Sequence, residues 1–200
     1  MNKFWQYCMM AAGGLLVGVV GLTAIRFALQ PSHEVHYHAN FAVFIHGQRE
    51  QFKGFQYYQE EASCSAKDTP QSRVHMHDNN NHIVHVHDTR VTWADLFNNL
   101  GWVLGDHLVS DGIHAYQDGQ GGKLSFVLNG KPTASIADEV IKSEDRLLIS
   151  FGGEDQDGLN QQFKQIESDA HQFNEQKDPA ACKGPEDTGL WPRLERALWF

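Results

Sequence analysis

Hydrophobic positions open the chain as one unbroken run. Apolar and small residues follow one another from about Met9 to Leu29, and no charged residue occurs between Lys3 and Arg26. This length suits a single membrane span. A cleaved secretory signal has a shorter apolar core and a small-residue cleavage site, which the exit FALQPSH matches poorly. The pattern therefore favours a retained membrane anchor over a signal peptide.

Beyond residue 34 the pattern changes to alternation with a period of two. Apolar side chains take the odd positions: Val35, Tyr37, Ala39, Phe41, Val43 and Ile45. The even positions begin with His36 and His38. A period of two predicts a strand that buries mainly one face. We expect a turn at residues 46–48, a second short strand near residues 51–55 and a loop over residues 57–73.

The segment VHMHDNNNHIVHVHD, residues 74–88, predicts a β-hairpin. An odd-length turn through residues 80–82 would place His77 opposite His85, and His75 opposite His87. The apolar side chains of both strands would then share the other face: Val74, Met76, Val84 and Val86. A turn of even length would set histidine opposite valine and split both sets, so the odd-length turn is the better solution.

One short helix and three more strands are expected after the hairpin. Thr92 and Asp95 have the spacing of a capping box, which begins a helix that Gly101 ends. From Lys123 the strand-like segments KLSFVL, KPTAS and RLLISFG follow. Asn129 and Gly130 between the first two are a strong signal for a two-residue hairpin turn.

The C-terminal part is predicted to be helical. Past residue 153 the composition becomes polar, and apolar residues mark one face of an amphipathic helix: Leu159, Phe163, Ile166, Ala170 and Phe173. We expect this helix to dock on the preceding domain. The terminal segment LWPRLERALWF would either lie in a membrane interface or pack on the anchor or a partner.

Over residues 83–152 the order of these elements resembles a β-grasp (ubiquitin-like) domain, and the phrase FVLNGKPTASIADEVIKSEDRLLISFG carries most of the likeness. The expected fold class is therefore α+β, with an N-terminal transmembrane helix, a small β-grasp-like mixed sheet with one packed helix, and a C-terminal amphipathic helix. We expect an anchor over residues 1–30, a histidine-rich domain over residues 31–153 and a helical tail over residues 154–200. A resemblance in fold implies no activity.

Net charge and cysteine content indicate which partners and which cellular compartment to expect. The formal net charge is -9 and Lys and Arg form no run, which argues against nucleic acid as a partner. Cys64 and Cys182 lie in polar, loop-like stretches and would suit one disulfide in an oxidising space. An anchor with its N-terminus inside the cell is the ordinary arrangement. It would place the domain on the periplasmic side of the inner membrane.

Histidine is the compositional signal that needs explaining, because the chain contains 12. Three H-x-H pairs alternate with apolar residues, and neighbouring strands would bring their six imidazoles to one sheet face: His36, His38, His75, His77, His85 and His87. Neutral imidazoles suit copper, zinc and nickel, and Met76 would face away, so sulfur ligands are disfavoured. Asp78, Asp88 and Asn40 are candidates to orient the rings or to supply a further ligand.

Two other interpretations of these histidines stay open. The cluster could respond to pH by gaining charge below about 6.5, or it could be a hydrogen-bonded face without a ligand. Single histidines elsewhere are expected to be polar surface residues: His46, His82, His107, His114 and His171.

The layout of anchor, H-x-H strand, H-x-H hairpin, capped helix and Asn-Gly hairpin resembles that of histidine-rich, single-pass bacterial envelope proteins. Its most specific piece is HMHDNNNHIVHVHD. This resemblance implies a layout rather than an activity.

The leading hypothesis is a membrane-anchored, extracytoplasmic domain that binds copper or zinc for storage, delivery or sensing. A metalloenzyme with an open coordination position is the second hypothesis. The third is an assembly subunit of an envelope complex, whose partner would be another membrane protein or a second copy.

Overall fold

A computed structural model describes residues 2–29, 35–58, 69–176, 190, 194, 197 and 198. The chain divides into two compact units, one formed by Met1–Glu34 with Gly184–Phe200 and the other by Val35–Lys183. Cys64 and Cys182, for which a disulfide was considered, lie outside the described residues. Most of the terminal segment LWPRLERALWF, residues 190–200, lies outside them too.

The first unit contains one long apolar helix, α1, over Lys3–Leu29. Its 27 residues are enough, by length and composition, to cross a membrane. At a rise of about 1.5 Å per residue such a helix exceeds the roughly 30 Å of a bilayer's hydrocarbon core. The apolar N-terminal helix is thus confirmed. A signal sequence passes the same test, so retention as an anchor stays a prediction.

The second unit contains ten strands and four helices within the described residues. The strands are β1 (Tyr37–Ile45), β2 (Gln48–Arg49), β3 (Val74–His75), β4 (Ile83–Val86), β5 (Val103–Leu104), β6 (Leu108–Ser110), β7 (Ala115–Gln117), β8 (Lys123–Leu128), β9 (Lys131–Thr133) and β10 (Arg146–Gly152). The helices are α2 (Pro70–Arg73), α3 (Trp93–Asn99), α4 (Gln156–Lys164) and α5 (Ala170–Glu175).

A mixed sheet organises this unit, with strands in the order β3-β4-β1-β10-β8-β9 and β2 paired to β1. The central strands β1 and β10 are parallel, whereas β4 and β8 flank them in antiparallel pairing. The first and last strands of the unit are thus central, the sheet is mixed as expected, and the α+β class is confirmed. The resemblance was stated for residues 83–152 and therefore did not include β1, which lies before them.

Local sequence signals correctly placed the helix and the hairpin turn. Thr92 and Asp95 form the capping box at the start of α3, with both side-chain to backbone bonds present. Asn129 and Gly130 have φ angles of 53° and 77°. Two consecutive residues with left-handed backbone conformation match the twist of the flanking strands. Strands β8 and β9 pair directly across this turn.

The predicted second strand near residues 51–55 is wrong. Strand β2 covers Gln48–Arg49, and Phe55–Tyr57 forms a single turn of 3-10 helix. The reason is a tight turn at His46 and Gly47, whose φ angles are both positive, at 49° and 77°. Because this turn reverses the chain in two residues, pairing with β1 resumes at once between Ile45 and Gln48.

The single C-terminal amphipathic helix is in fact two helices, α4 and α5. Arg146 donates hydrogen bonds to the backbone carbonyls of Ile166 and Glu167 between the two helices. Arg49 donates to the backbone carbonyl of Gln165 and to the Glu167 carboxylate. These bonds satisfy carbonyl groups that a continuous helix would use internally, so the chain can turn there.

Both faces of β1 are buried, although the alternation predicted burial mainly of one. The odd-numbered residues Ala39, Phe41 and Val43 join the main core, which includes Trp93 and Phe97 of α3. On the other face, Ala42 and Phe44 pack with a second apolar cluster: Val127, Leu148, Leu159 and Ile166. The second cluster exists because α4 covers that face.

Candidate metal centre

Three neighbouring strands place histidines in a row on the second face of the sheet. His85 of β4 lies opposite His38 of β1 on one side and opposite His75 of β3 on the other. Opposed residues of an antiparallel pair point to the same face, with Cβ atoms about 5 Å apart. His85 is therefore the central member of the row.

The three remaining predicted ligands surround this row. The ring centre of His36 lies 4.7 Å from that of His87, which lies 5.0 Å from that of His75. The ring centre of His77 is 3.7 Å from that of His85. All six predicted residues therefore form one contiguous group, the histidine cluster: His36, His38, His75, His77, His85 and His87.

The predicted pairing of the hairpin is wrong by two residues. His75 lies opposite His85, not His87. The turn begins earlier than expected, because Asp78 and Asn79 have positive φ angles of 57° and 52°. A shift of two residues leaves every side chain on its original face, since the side-chain period of a strand is two.

The predicted division of faces is confirmed. The apolar residues of the hairpin are fully buried in the main core: Val74, Met76, Val84 and Val86. The histidines occupy the opposite face of the same two strands.

Burial differs across the cluster. The row residues His38, His75 and His85, together with His77, are at most 5% exposed. His36 is exposed, and His87 is half-buried. The cluster thus has a buried interior and a more exposed rim at His36 and His87.

Three of the buried rings are held by oxygen acceptors at Nδ1. For His38 the acceptor is the side-chain oxygen of Asn174 at 2.8 Å, and for His75 it is the backbone carbonyl of Gln71 at 2.8 Å. For His77 it is the Asp78 carboxylate at 2.7 Å. Because these oxygens only accept, Nδ1 carries the hydrogen and Nε2 keeps the lone pair of the neutral ring. Metal-binding histidines are oriented in this way.

His38 and His85 share one hydrogen bond at the centre of the cluster. The His38 Nε2 atom lies 2.9 Å from His85 Nδ1. Since His38 already donates from Nδ1, its Nε2 accepts and His85 Nδ1–H donates. An ion bound by both nitrogens would take the place of this proton, and the His85 ring would then carry its hydrogen on Nε2.

A set of three histidines in the cluster can hold a metal ion. His36, His38 and His85 each offer one nitrogen, and these nitrogens lie within 4.8 Å of one another. Three imidazoles with a fourth position for water or another ligand form a known zinc donor set. Copper accepts the same ligands.

Burial keeps the rings of His85 and His87 neutral and therefore able to bind a cation. Desolvation, reinforced by the neighbouring His77 and His38, holds the pKa of His85 far below its ordinary value. Desolvation, with His75 and His36 as the next causes, lowers the pKa of His87 to about 3. A neutral ring presents a lone pair, whereas a protonated ring would repel the ion.

Of the three predicted orienting residues, only Asp78 bonds to the cluster in the way we expected. Asp88 accepts a hydrogen bond from Arg73 at 2.7 Å. The Asn40 side chain donates to Asp169 at 2.7 Å and accepts from the backbone N–H of Ala170 at 3.1 Å. Sequence reasoning missed Gln71 and Asn174, which orient His75 and His38.

The single histidines lie outside the cluster. His46, His107, His114 and His171 are exposed as expected, whereas His82 is half-buried. His82 pairs with Asp169 at 3.1 Å.

Comparison with protein-family models, curated proteins and solved structures finds no match to this chain. The resemblance to histidine-rich envelope proteins therefore stays a prediction. Any inference about function has to come from the residues of the histidine cluster and from α1.

Proposed function

We propose that this protein is a membrane-anchored, extracytoplasmic protein that binds copper or zinc through the histidine cluster. One observation carries the proposal: His38, His75 and His77 are each held at Nδ1 by an oxygen acceptor. Their Nε2 atoms are thereby prepared as ligands. A histidine face that served only as polar surface would not need three oriented and buried rings.

The donor types support copper or zinc over other cations. Imidazole nitrogen suits both metals, whereas magnesium and calcium prefer oxygen ligands. Met76 is buried in the apolar core, and Cys8, the free cysteine among the described residues, lies in α1. The cluster therefore offers nitrogen without sulfur.

The carboxylates near the cluster favour binding over catalysis. A hydrolytic metal site usually needs an acid or base beside the bound water. Asp78 is engaged by His77, and Asp88 is engaged by Arg73. Storage, delivery or sensing of an ion agrees better with these contacts than turnover of a substrate.

Metal titration of the full-length chain tests the proposal. The protein is prepared without an affinity tag in detergent, stripped of metal, and titrated with zinc and with copper against a competing chelator. We expect H38Q/H85Q to weaken binding by at least about 100-fold, because it removes two ligands that share the central hydrogen bond. The matched control is H107Q/H114Q, since both of these rings are exposed and lie outside the cluster.

Equal affinity in the cluster variant and the control would contradict the proposal. It would mean that the ions bind to scattered surface imidazoles instead of the cluster.

The location is tested separately. A reporter enzyme that is active only outside the cytoplasm, fused after residue 200, should be active and should remain in the membrane fraction after an alkaline carbonate wash. A soluble mature protein that lacks residues 1–30 would contradict the anchor and would identify α1 as a cleaved signal.

A further inference from the structure

The histidine cluster contains more donors than one ion uses. Zinc sites in proteins are usually four-coordinate, whereas six imidazoles meet here. The set of His36, His38 and His85 accounts for three of them. The other three lie on the β3 side of the sheet: His75, His77 and His87.

The β3-side histidines have the features of ligands in their own right. His75 and His77 are both oriented by oxygen acceptors at Nδ1, and neither belongs to the first set. The Nε2 atom of His87 is buried, and the described part of the chain gives it no hydrogen-bond partner. A buried nitrogen in this state is costly unless something binds it.

Ring spacing is compatible with two sets, centred on His38 and on His75. Two imidazoles that share one tetrahedral ion have ring centres about 5 Å apart, because each centre lies about 3 Å from the ion. The ring centre of His38 lies 4.8 Å from that of His36 and 4.4 Å from that of His85, while those of His36 and His85 lie 6.3 Å apart. The ring centre of His75 lies 5.0 Å from that of His87 and 5.7 Å from that of His77, and 5.8 Å from that of His85 in the first set.

The contact between His77 and His85 separates the sets. Their ring centres are 3.7 Å apart, which is closer than two rings on a common tetrahedral ion would lie. These two rings pack against each other and so belong to different sets. The ring centres of His36 and His87 lie 4.7 Å apart at the rim, where the two sets meet.

A carboxylate lies beside the second set. The Asp78 carboxylate accepts from His77 at 2.7 Å. Two cations close together repel each other, and neutral imidazoles do nothing to offset their charge. Negative charge beside the second set reduces this repulsion.

We propose that the histidine cluster binds two metal ions, the first at His36, His38 and His85 and the second at His75, His77 and His87. This inference rests on the proposed function, because it concerns the number and arrangement of ions at the same cluster. The second set makes the cluster a two-ion centre in which each ion has its own three imidazoles.

Counting zinc ions on the full-length, tag-free chain by native mass spectrometry tests this inference. A weak chelator in the buffer removes loosely held zinc. We expect about two ions on the natural sequence and about one ion on each of H36Q/H38Q and H75Q/H77Q, since each variant leaves one set of three intact. The control H107Q/H114Q should keep two. Cooperative thermal unfolding of the metal-free variants shows that they fold.

The count on the natural sequence does not depend on any variant. Saturation at one ion would overturn the second site and leave the proposed function standing, whereas a count of zero would overturn both. Loss of both ions from either double variant that still folds would overturn the assignment to two separate sets.

Discussion

The side-chain oxygen of Asn174 accepts two hydrogen bonds from His38, one from the backbone N–H and one from Nδ1–H, each at 2.8 Å. The two residues are 136 positions apart in sequence. Helix α5 therefore determines which nitrogen of His38 faces the cluster. The Asn174 amide is itself held by Ser143, to which it donates at 3.0 Å.

We expect N174L to weaken zinc binding by about 10- to 100-fold, because residues that orient a ligand affect metal affinity on this scale. The leucine is similar in size but accepts no hydrogen bond. Competitive zinc titration measures the effect. N160L in α4 is the matched control, since Asn160 is exposed, and its affinity should equal that of the natural chain. An unchanged affinity in N174L would show that His38 does not depend on Asn174.

The Asp78 carboxylate offers a second test of ligand orientation. D78N retains an oxygen that can accept from His77 but removes the negative charge, and asparagine tolerates the positive φ of 57° at this position. We expect several-fold weaker zinc binding with little change in thermal stability, because a charge-assisted bond is stronger than a neutral one.

D106N removes an exposed carboxylate of the same type and serves as the control for D78N. Equal zinc affinities in D78N and D106N would show that the negative charge of Asp78 does not strengthen zinc binding.

The metal-free protein should lose stability as the pH falls below about 6.5. His85 and His87 have folded-state pKa values below their unfolded value of 6.5, so the unfolded chain takes up protons first. Stability is fully present above pH 6.5 and is lost as the pH falls towards the folded pKa, which is about 3 for His87. At pH 5 the loss from one such histidine is about 2 kcal/mol.

Thermal unfolding with a chelator present, followed from pH 7.5 to pH 5, measures this loss. H85Q/H87Q removes both titrating rings and should flatten the dependence, while groups elsewhere titrate as before. A dependence of the same steepness in the variant and the natural chain would assign the pH response to other residues.

The apolar face beneath the cluster is expected to carry most of the stability. Phe41 is fully buried against Phe52, Trp93 and Phe97. F41A should lower the free energy of unfolding by about 3–5 kcal/mol, because it leaves a cavity in the core. F55A should change it by less than about 0.5 kcal/mol, since Phe55 is 88% exposed. Similar losses in both variants, measured by thermal unfolding, would contradict the assignment of the core.

Local patterns predicted the side of the sheet on which each histidine lies, but not its partner across the strands. Alternation of histidine with valine in VHMH and HIVHVH is a property of neighbouring residues, so the sequence reveals it directly. The pairing depends on where the turn begins, and Asp78 and Asn79 take left-handed conformations that move it by two residues. Turn residues with such freedom allow more than one starting point.

The residues that orient the histidine rings were harder to predict from the sequence. Gln71 acts through its backbone carbonyl, which every residue type possesses, so no pattern could mark it. Asn174 is brought to His38 by the packing of α5 on β1 and by the bond between Asn40 and Asp169. Polar residues on a short helix give no sign of which distant strand they will meet.

The break between α4 and α5 escaped prediction for a similar reason. Leu159, Phe163 and Ile166 share a spacing that runs on to Ala170 and Phe173 as if the helix continued. Helical periodicity measures only which residues would share a face. The end of α4 is set by Arg146 and Arg49, which lie in distant strands.

The turn at residues 78–82 also limits which insertions and deletions the hairpin can accept. Adding or removing a single codon there would turn one strand of the hairpin over, so that His85 and His87 would enter the apolar core while Val84 and Val86 would come to the face that carries the histidine cluster. Changes in pairs of codons would preserve the arrangement. Natural variants of this chain should therefore differ in the length of that turn by even numbers of residues.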